Sequence, residues 1–197
     1  MADDKRIAVL AADAFQDSEY FLPKIAIEKM GVHTEVVSLG IDPIEIYSFF
    51  DRIGYLEVQR RIEEASPDDY IGVLIPGGAK SPAILAESGE VLRFLQAIDG
   101  AEKLVASICR GSLLVAKSGI AKGRRITGFH LADQFPDLVI RPAVEACGGI
   151  WVEDQPAVVD RNLISSRHPD DALQFTAAIQ TWIYDENRSA ARTSDRS

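Results

Sequence analysis

Three short apolar runs constrain this chain more than anything else in it: Ile7-Ala8-Val9-Leu10, Ile71-Gly72-Val73-Leu74-Ile75 and Leu104-Val105-Ala106-Ser107-Ile108. A strand with one wet face alternates apolar and polar residues. A run without alternation is a strand covered on both faces, as in a parallel sheet flanked by helices. Helical patterns separate these runs. One is expected from about Ser18 to Met30, with Leu22, Ile25, Ala26 and Met30 on its buried stripe and Gly31 as its stop. Pro23 must lie in its first turn or kink it. Another carries Val91, Leu92, Leu95 and Ile98 behind a Ser88 cap and ends at Gly100.

Further along, a helix from about Arg110 to Ser118 stops at Gly119. A last helix begins near Pro169-Asp170 and buries Ala172, Phe175, Ile179 and Trp182. Thr34 to Leu39 and Arg125-Ile126-Thr127 read as strands. Ala157-Val158-Val159 and Leu163-Ile164-Ser165, around Asp160-Arg161-Asn162, read as a small edge hairpin. Gly40 to Tyr70, with the cluster Tyr47-Ser48-Phe49-Phe50, is compatible with either a hairpin or irregular strand. The expected fold is an α/β sandwich with a mostly parallel central sheet and right-handed crossovers. It forms one domain over residues 5–185, and the polar stretch 186–197 is expected to be a disordered tail.

The formal net charge of −9 argues against nucleic-acid or anionic-membrane partners. No apolar run approaches the roughly 18 residues that span a bilayer. Met1-Ala2-Asp3-Asp4-Lys5-Arg6 lacks the layout of a signal peptide, so the cytoplasm is the expected compartment. The two distant cysteines are expected as free thiols.

In a parallel sheet, sites form beyond the carboxyl ends of the strands. Ala12 to Glu19, Pro76-Gly77-Gly78 and Cys109 all fall at such ends. Cys109, in Ser107-Ile108-Cys109-Arg110-Gly111, follows a buried strand and opens a helix, which is the layout of a nucleophile elbow. There the helix dipole and free N–H groups would favour thiolate. Backbone amides of Gly78 and Arg110 are candidates for an oxyanion hole. The plainer reading is a small buried core cysteine. Cys147 has no such setting and reads as a packing residue.

Partner groups for the thiol are sought among Glu19, Asp17, Asp13 and the histidines. A protonated Glu19 would donate to a thiolate, whereas an ionised one would repel it. Its plainer role is helix N-terminal charge. His130 is the best-placed histidine by position, with a surface role as the alternative. His33 reads as a loop residue and His168 as part of the last helix's approach. No His/Cys/Asp spacing suggests a metal site, and no cofactor is called for.

Ala11-Ala12-Asp13-Ala14-Phe15-Gln16-Asp17-Ser18-Glu19, Leu74-Ile75-Pro76-Gly77-Gly78, Ser107-Ile108-Cys109-Arg110-Gly111 and Ser165-Ser166-Arg167-His168-Pro169-Asp170-Asp171 resemble the successive motifs of the ThiJ/PfpI superfamily. The resemblance runs from about Lys5 to Tyr184. It implies a flavodoxin-like sandwich, a reactive cysteine at Cys109, a glutamate at Glu19 hydrogen-bonded to it, and a homodimer or larger homo-oligomer. Where the protease-like branch of that superfamily carries a histidine after the cysteine, this chain has Arg110. Ala79-Lys80-Ser81-Pro82-Ala83 lacks that branch's glutamate, and Ser112 replaces its proline. A protease triad is therefore absent in its familiar form.

The resemblance implies a thiol enzyme for small reactive carbonyls or their adducts, glyoxalase- or deglycase-like, with a small-molecule electrophile as partner. The first alternative is an oxidative-stress sensor acting through Cys109. The second is an amidase- or isonitrile-hydratase-like enzyme.

Overall fold

The computed structural model describes residues 5–131 and 140–194. The chain begins with β1 (Arg6–Leu10), β2 (Phe15–Gln16), α1 (Asp17–Glu28), β3 (His33–Ser38), β4 (Ile44–Ser48), β5 (Asp51–Leu56) and β6 (Arg60–Arg61). Then come β7 (Gly72–Ile75), α2 (Ser81–Ala86), α3 (Gly89–Gly100), β8 (Leu104–Ile108), a 3₁₀ turn at Cys109–Gly111, α4 (Ser112–Lys117) and β9 (Arg125–Ile126). The remainder is α5 (Arg141–Ala146), β10 (Ile150–Trp151), β11 (Ala157–Asp160), β12 (Leu163–Ser166), a 3₁₀ turn at Pro169–Asp171 and α6 (Ala172–Ser194).

The central sheet has the order β11-β12-β8-β7-β1-β3-β6. Its pairs are all parallel except β11 against β12, which forms the expected edge hairpin. The apolar runs supply both faces by alternation. Ile7, Val9, Leu74, Ala106 and Ile164 pack under Tyr20 and Ile27 of α1 and Phe175, Ile179 and Ile183 of α6. Ala8, Leu10, Val73, Ile75 and Val105 pack under Val91, Leu95 and Ile98 of α3, Leu114 and Val115 of α4 and Val144 of α5. The result is the three-layer sandwich that unbroken apolar strands require.

Two expectations need correction. Helix α1 forms where expected but is rotated. It buries Glu19, Tyr20, Pro23 and Ile27, while Leu22 and Ile25 of the expected stripe are about half exposed. A carboxyl and a proline on the inward face hid that face from an apolar count. Pro23 lies in the helix interior, past its first turn. At the other end, α6 runs on to Ser194, through most of the stretch expected to be a disordered tail. Glu186 to Ser194 contains no Gly or Pro, and extending a helix already packed through Phe175, Ile179 and Ile183 requires no new nucleation. Lys5 Nζ also donates to Asn187 Oδ1 at 2.7 Å.

The stretch from Gly40 to Tyr70 resolves into the β4–β5 hairpin, which joins β2 in a separate three-stranded sheet. Phe49, with φ +55°, turns that hairpin. Because the long strands run in parallel, the ends of β1, β7, β8 and β12 open on one rim, and β2 with its hairpin stands beside it. No helix among the described residues is long and apolar enough to cross a membrane.

Candidate functional site

Cys109 has φ +58°, in the left-handed region. A non-glycine residue there costs about 1 kcal/mol, so the surrounding packing must hold it. Ile108 ends β8 in extended backbone, the 3₁₀ turn reverses the chain, and α4 carries it away. The turn is braced from behind by buried hydroxyls: Ser107 Oγ and Ser112 Oγ lie 2.8 Å apart, and Ser112 Oγ donates to the Thr127 carbonyl at 2.8 Å. The Phe129 N–H donates to the Cys109 carbonyl at 3.1 Å.

Facing the elbow is the Pro76-Gly77-Gly78 turn at the end of β7. A side chain at Gly77 would meet Arg110 N, Cys109 Cβ and Glu19 Oε2, each at 2.8 Å. That position admits only glycine because elbow, glutamate and turn converge on it. Gly78 has φ +107°, and its backbone lies against Ala14 and Phe15.

Glu19 comes from the first turn of α1 and is wholly buried. Its Oε2 accepts from the Gly77 N–H at 2.7 Å. Its Oε1 is buried without a well-aligned partner, and the Cys109 thiol is near enough to affect the carboxyl's ionisation. Burial pushes Glu19 up to about 8, against the opposing pull of the Gly77 N–H and the thiol. At neutral pH it is therefore a carboxylic acid and can donate.

Cys109 is itself pushed well above its ordinary value, first by burial and then by the Glu19 carboxylate. The N–H groups of Arg110 and Gly78 act on the sulfur in the opposite direction. The expectation that the helix end would leave a ready thiolate is not met. Burial outweighs two amides and a helix of six residues. The resting pair is a thiol beside a carboxylic acid.

Arg110 Nη1 donates to the carbonyls of Gly78, at 3.4 Å, and Ala79. This binds the elbow to the facing turn. Burial lowers its pKa. Cys109, Glu19, Gly78 and Arg110 thus meet in one place, on the wall of a cavity of about 420 Å³.

His130 is not part of that wall. Its ring stacks on His168 at 5.5 Å, and His168 is part of the wall. Burial, with the charges of Arg167 and His168, lowers the pKa of His130, so it is neutral at neutral pH. Its Nδ1 is buried without a partner. His168 was expected to serve only the approach to the last helix. Parallel pairing of β12 with β8 brings its loop to the same rim as the elbow.

The apolar part of the wall, including Phe49, Phe50, Phe129 and Leu131, was not foreseen as part of the site. The aromatic cluster at the hairpin turn was its only signal. Cys147 caps α5, half buried, with its thiol on the Val144 carbonyl. Among the described residues there is no cluster of three His, Cys, Asp or Glu side chains that could hold a metal.

A cysteine delivered on an elbow by a parallel sheet, opposite a glycine turn, defines a class of flavodoxin-like α/β proteins. The chain belongs to the DJ-1/PfpI family, whose pattern matches residues 5–181. A protein of Archaeoglobus fulgidus of uncharacterised function is 32% identical over 178 residues, covering 88% of this chain and 95% of that one. A deglycase of Thermococcus kodakarensis is 30% identical over 167 residues, covering 84% and 92%. Among solved structures, a two-domain protein of Anabaena variabilis with DJ-1/ThiJ/PfpI-like and ferritin-like domains superposes with a TM-score of 0.80 at 27% identity. That match covers 91% of this chain and 48% of the other. Schizosaccharomyces pombe DJ-1, at 22% identity and TM-score 0.75, covers 96% and 97% and shares the fold.

Proposed function

We propose that the chain is a cysteine-dependent enzyme acting on small reactive carbonyls or their adducts, in the manner of a glyoxalase or deglycase. The observation that carries this reading is the buried pair of Cys109 thiol and protonated Glu19 on the wall of an open cavity. A thiol adds to a carbonyl only if its proton has somewhere to go and the new alkoxide is met by a donor. Glu19 serves both needs: it gives its proton to the alkoxide and receives the one from sulfur. The amides of Arg110 and Gly78 are the backbone donors available to hold the developing oxyanion. His130 enters this reading only through its contact with His168. The deglycase relative from Thermococcus supports the same substrate class.

Consumption of methylglyoxal by the wild type and by Cys109→Ala tests the assignment. Loss to background in the variant is expected, and a wild type at background refutes it. If such an inactive wild type oxidised at Cys109 ahead of Cys147 in dilute peroxide, the sensor reading would replace it. That reading draws on the two amides at the sulfur, which would also hold a sulfinate. The raised thiol pKa opposes it, because the thiolate is the species that oxidises.

The assembly that accompanies this function is a homodimer. Its support is the apolar surface left on α1 by Leu22 and Ile25 and on the hairpin by Phe50 and Ile53.

A further inference from the structure

The cavity wall contains one feature that the addition of a thiol to a carbonyl does not use. Arg110 lies partly buried there among Phe49, Phe50, Phe129 and Leu131. Among the described residues, hydrogen bonds engage its Nη1 alone, through the Gly78 and Ala79 carbonyls. Its Nε is buried without an acceptor. A buried donor on a charged group is costly to leave unpaired, and native structures pair such donors with protein, water or ligand.

No described carboxylate neutralises this cation. Glu19, on the same wall, holds its proton up to about pH 8. Asp170, also on the wall, has a side chain 90% exposed. Among the described residues the guanidinium is therefore uncompensated, and it is the side chain best shaped to bind a carboxylate through two parallel hydrogen bonds.

We propose that the cavity takes a carbonyl compound that carries a carboxylate, which Arg110 binds while Cys109 adds to the carbonyl carbon. This rests on the thiol-enzyme reading above. Because Arg110 directly follows Cys109 and shares its cavity wall, the carboxylate sits only a few bonds from the electrophilic carbon. In the step itself the sulfur–carbon bond forms, the carbonyl π pair moves to oxygen, and that oxygen gains a proton as the thiol loses one through Glu19. No oxidant or reductant is involved. The smallest probe of this class is glyoxylate, whose neutral counterpart is methylglyoxal: the same aldehyde bears a carboxylate in one and an acetyl group in the other.

The test is protection of Cys109 from iodoacetamide by each compound, read by mass spectrometry in the wild type, Arg110→Gln and Arg110→Lys. In the wild type, glyoxylate is expected to protect at concentrations about tenfold or more below methylglyoxal, the factor one charge-assisted hydrogen bond provides. Arg110→Gln should remove that preference, and Arg110→Lys should keep part of it. A wild-type preference near unity overturns the proposal and needs no variant. So does a preference unchanged in Arg110→Gln, which would leave the side chain only its role of bracing Gly78 and Ala79. Protection by methylglyoxal alone overturns this inference and spares the thiol-enzyme reading. A wild type that neither compound protects, and that consumes no methylglyoxal, overturns both.

Discussion

Replacing Glu19 by glutamine removes a wholly buried carboxyl while nearly preserving its shape. The glutamine Oε1 can still accept from the Gly77 N–H, and its amide can donate towards the thiol. What disappears is the proton equilibrium. Glu19 ionises near 4.5 when unfolded and near 8 when folded. Below pH 4.5 both states hold the proton, and this group subtracts nothing from stability. Between the two values only the unfolded chain releases it, so stability falls as pH rises, and above 8 the loss is complete.

From pH 5.5 to 8, two and a half decades at about 1.4 kcal/mol each remove about 3 kcal/mol from the wild type. The Cys109 thiol stays protonated across that window. Urea unfolding of wild type and Glu19→Gln at a series of pH values isolates the difference. The variant is expected to gain about 3 kcal/mol on the wild type between the two ends. Curves that stay parallel would refute the reasoning, because Glu19 would then ionise as an ordinary exposed carboxyl.

Gly77→Ala places a methyl group 2.8 Å from three atoms of the elbow and its glutamate. A stability loss of about 1–3 kcal/mol and a changed rate of iodoacetamide labelling at Cys109 are expected, and a neutral substitution would contradict the close approach. If α1 forms the homodimer surface, Ile25→Asp should shift the protein from dimer to monomer in sedimentation equilibrium. A wild type that is monomeric at micromolar concentration rules the dimer out.

Much of the fold was legible because its signals are local. The uninterrupted apolar runs at Ile7, Ile71 and Leu104 became β1, β7 and β8 in parallel register, since only a strand covered on both faces can be so apolar. Gly31 and Gly100 mark helix ends, and Ser88 caps α3 by accepting from the Val91 N–H at 3.4 Å. The rotation of α1 was not legible. Which of its stripes turns inward is set by the surfaces of α6 and β3, and the inward one carries Glu19 and Pro23. The aromatic turn at Phe49 and Phe50 could be seen as a cluster but not placed, because a short hairpin chooses its neighbour only when the chain is assembled.

The candidate site divides in the same way. By itself the sequence determined that a cysteine would stand at a strand–helix turn facing two glycines, because turn chemistry and strand order are written in neighbouring residues. Tertiary structure alone decided that His168 would reach the cavity wall while His130 would stack behind it. It also decided that Arg110 would turn Nη1 to the facing turn and bury its Nε without an acceptor, and that Glu19 and Cys109 would both keep their protons. Those outcomes depend on burial, and burial is produced by residues far apart in the chain that meet only in the folded molecule.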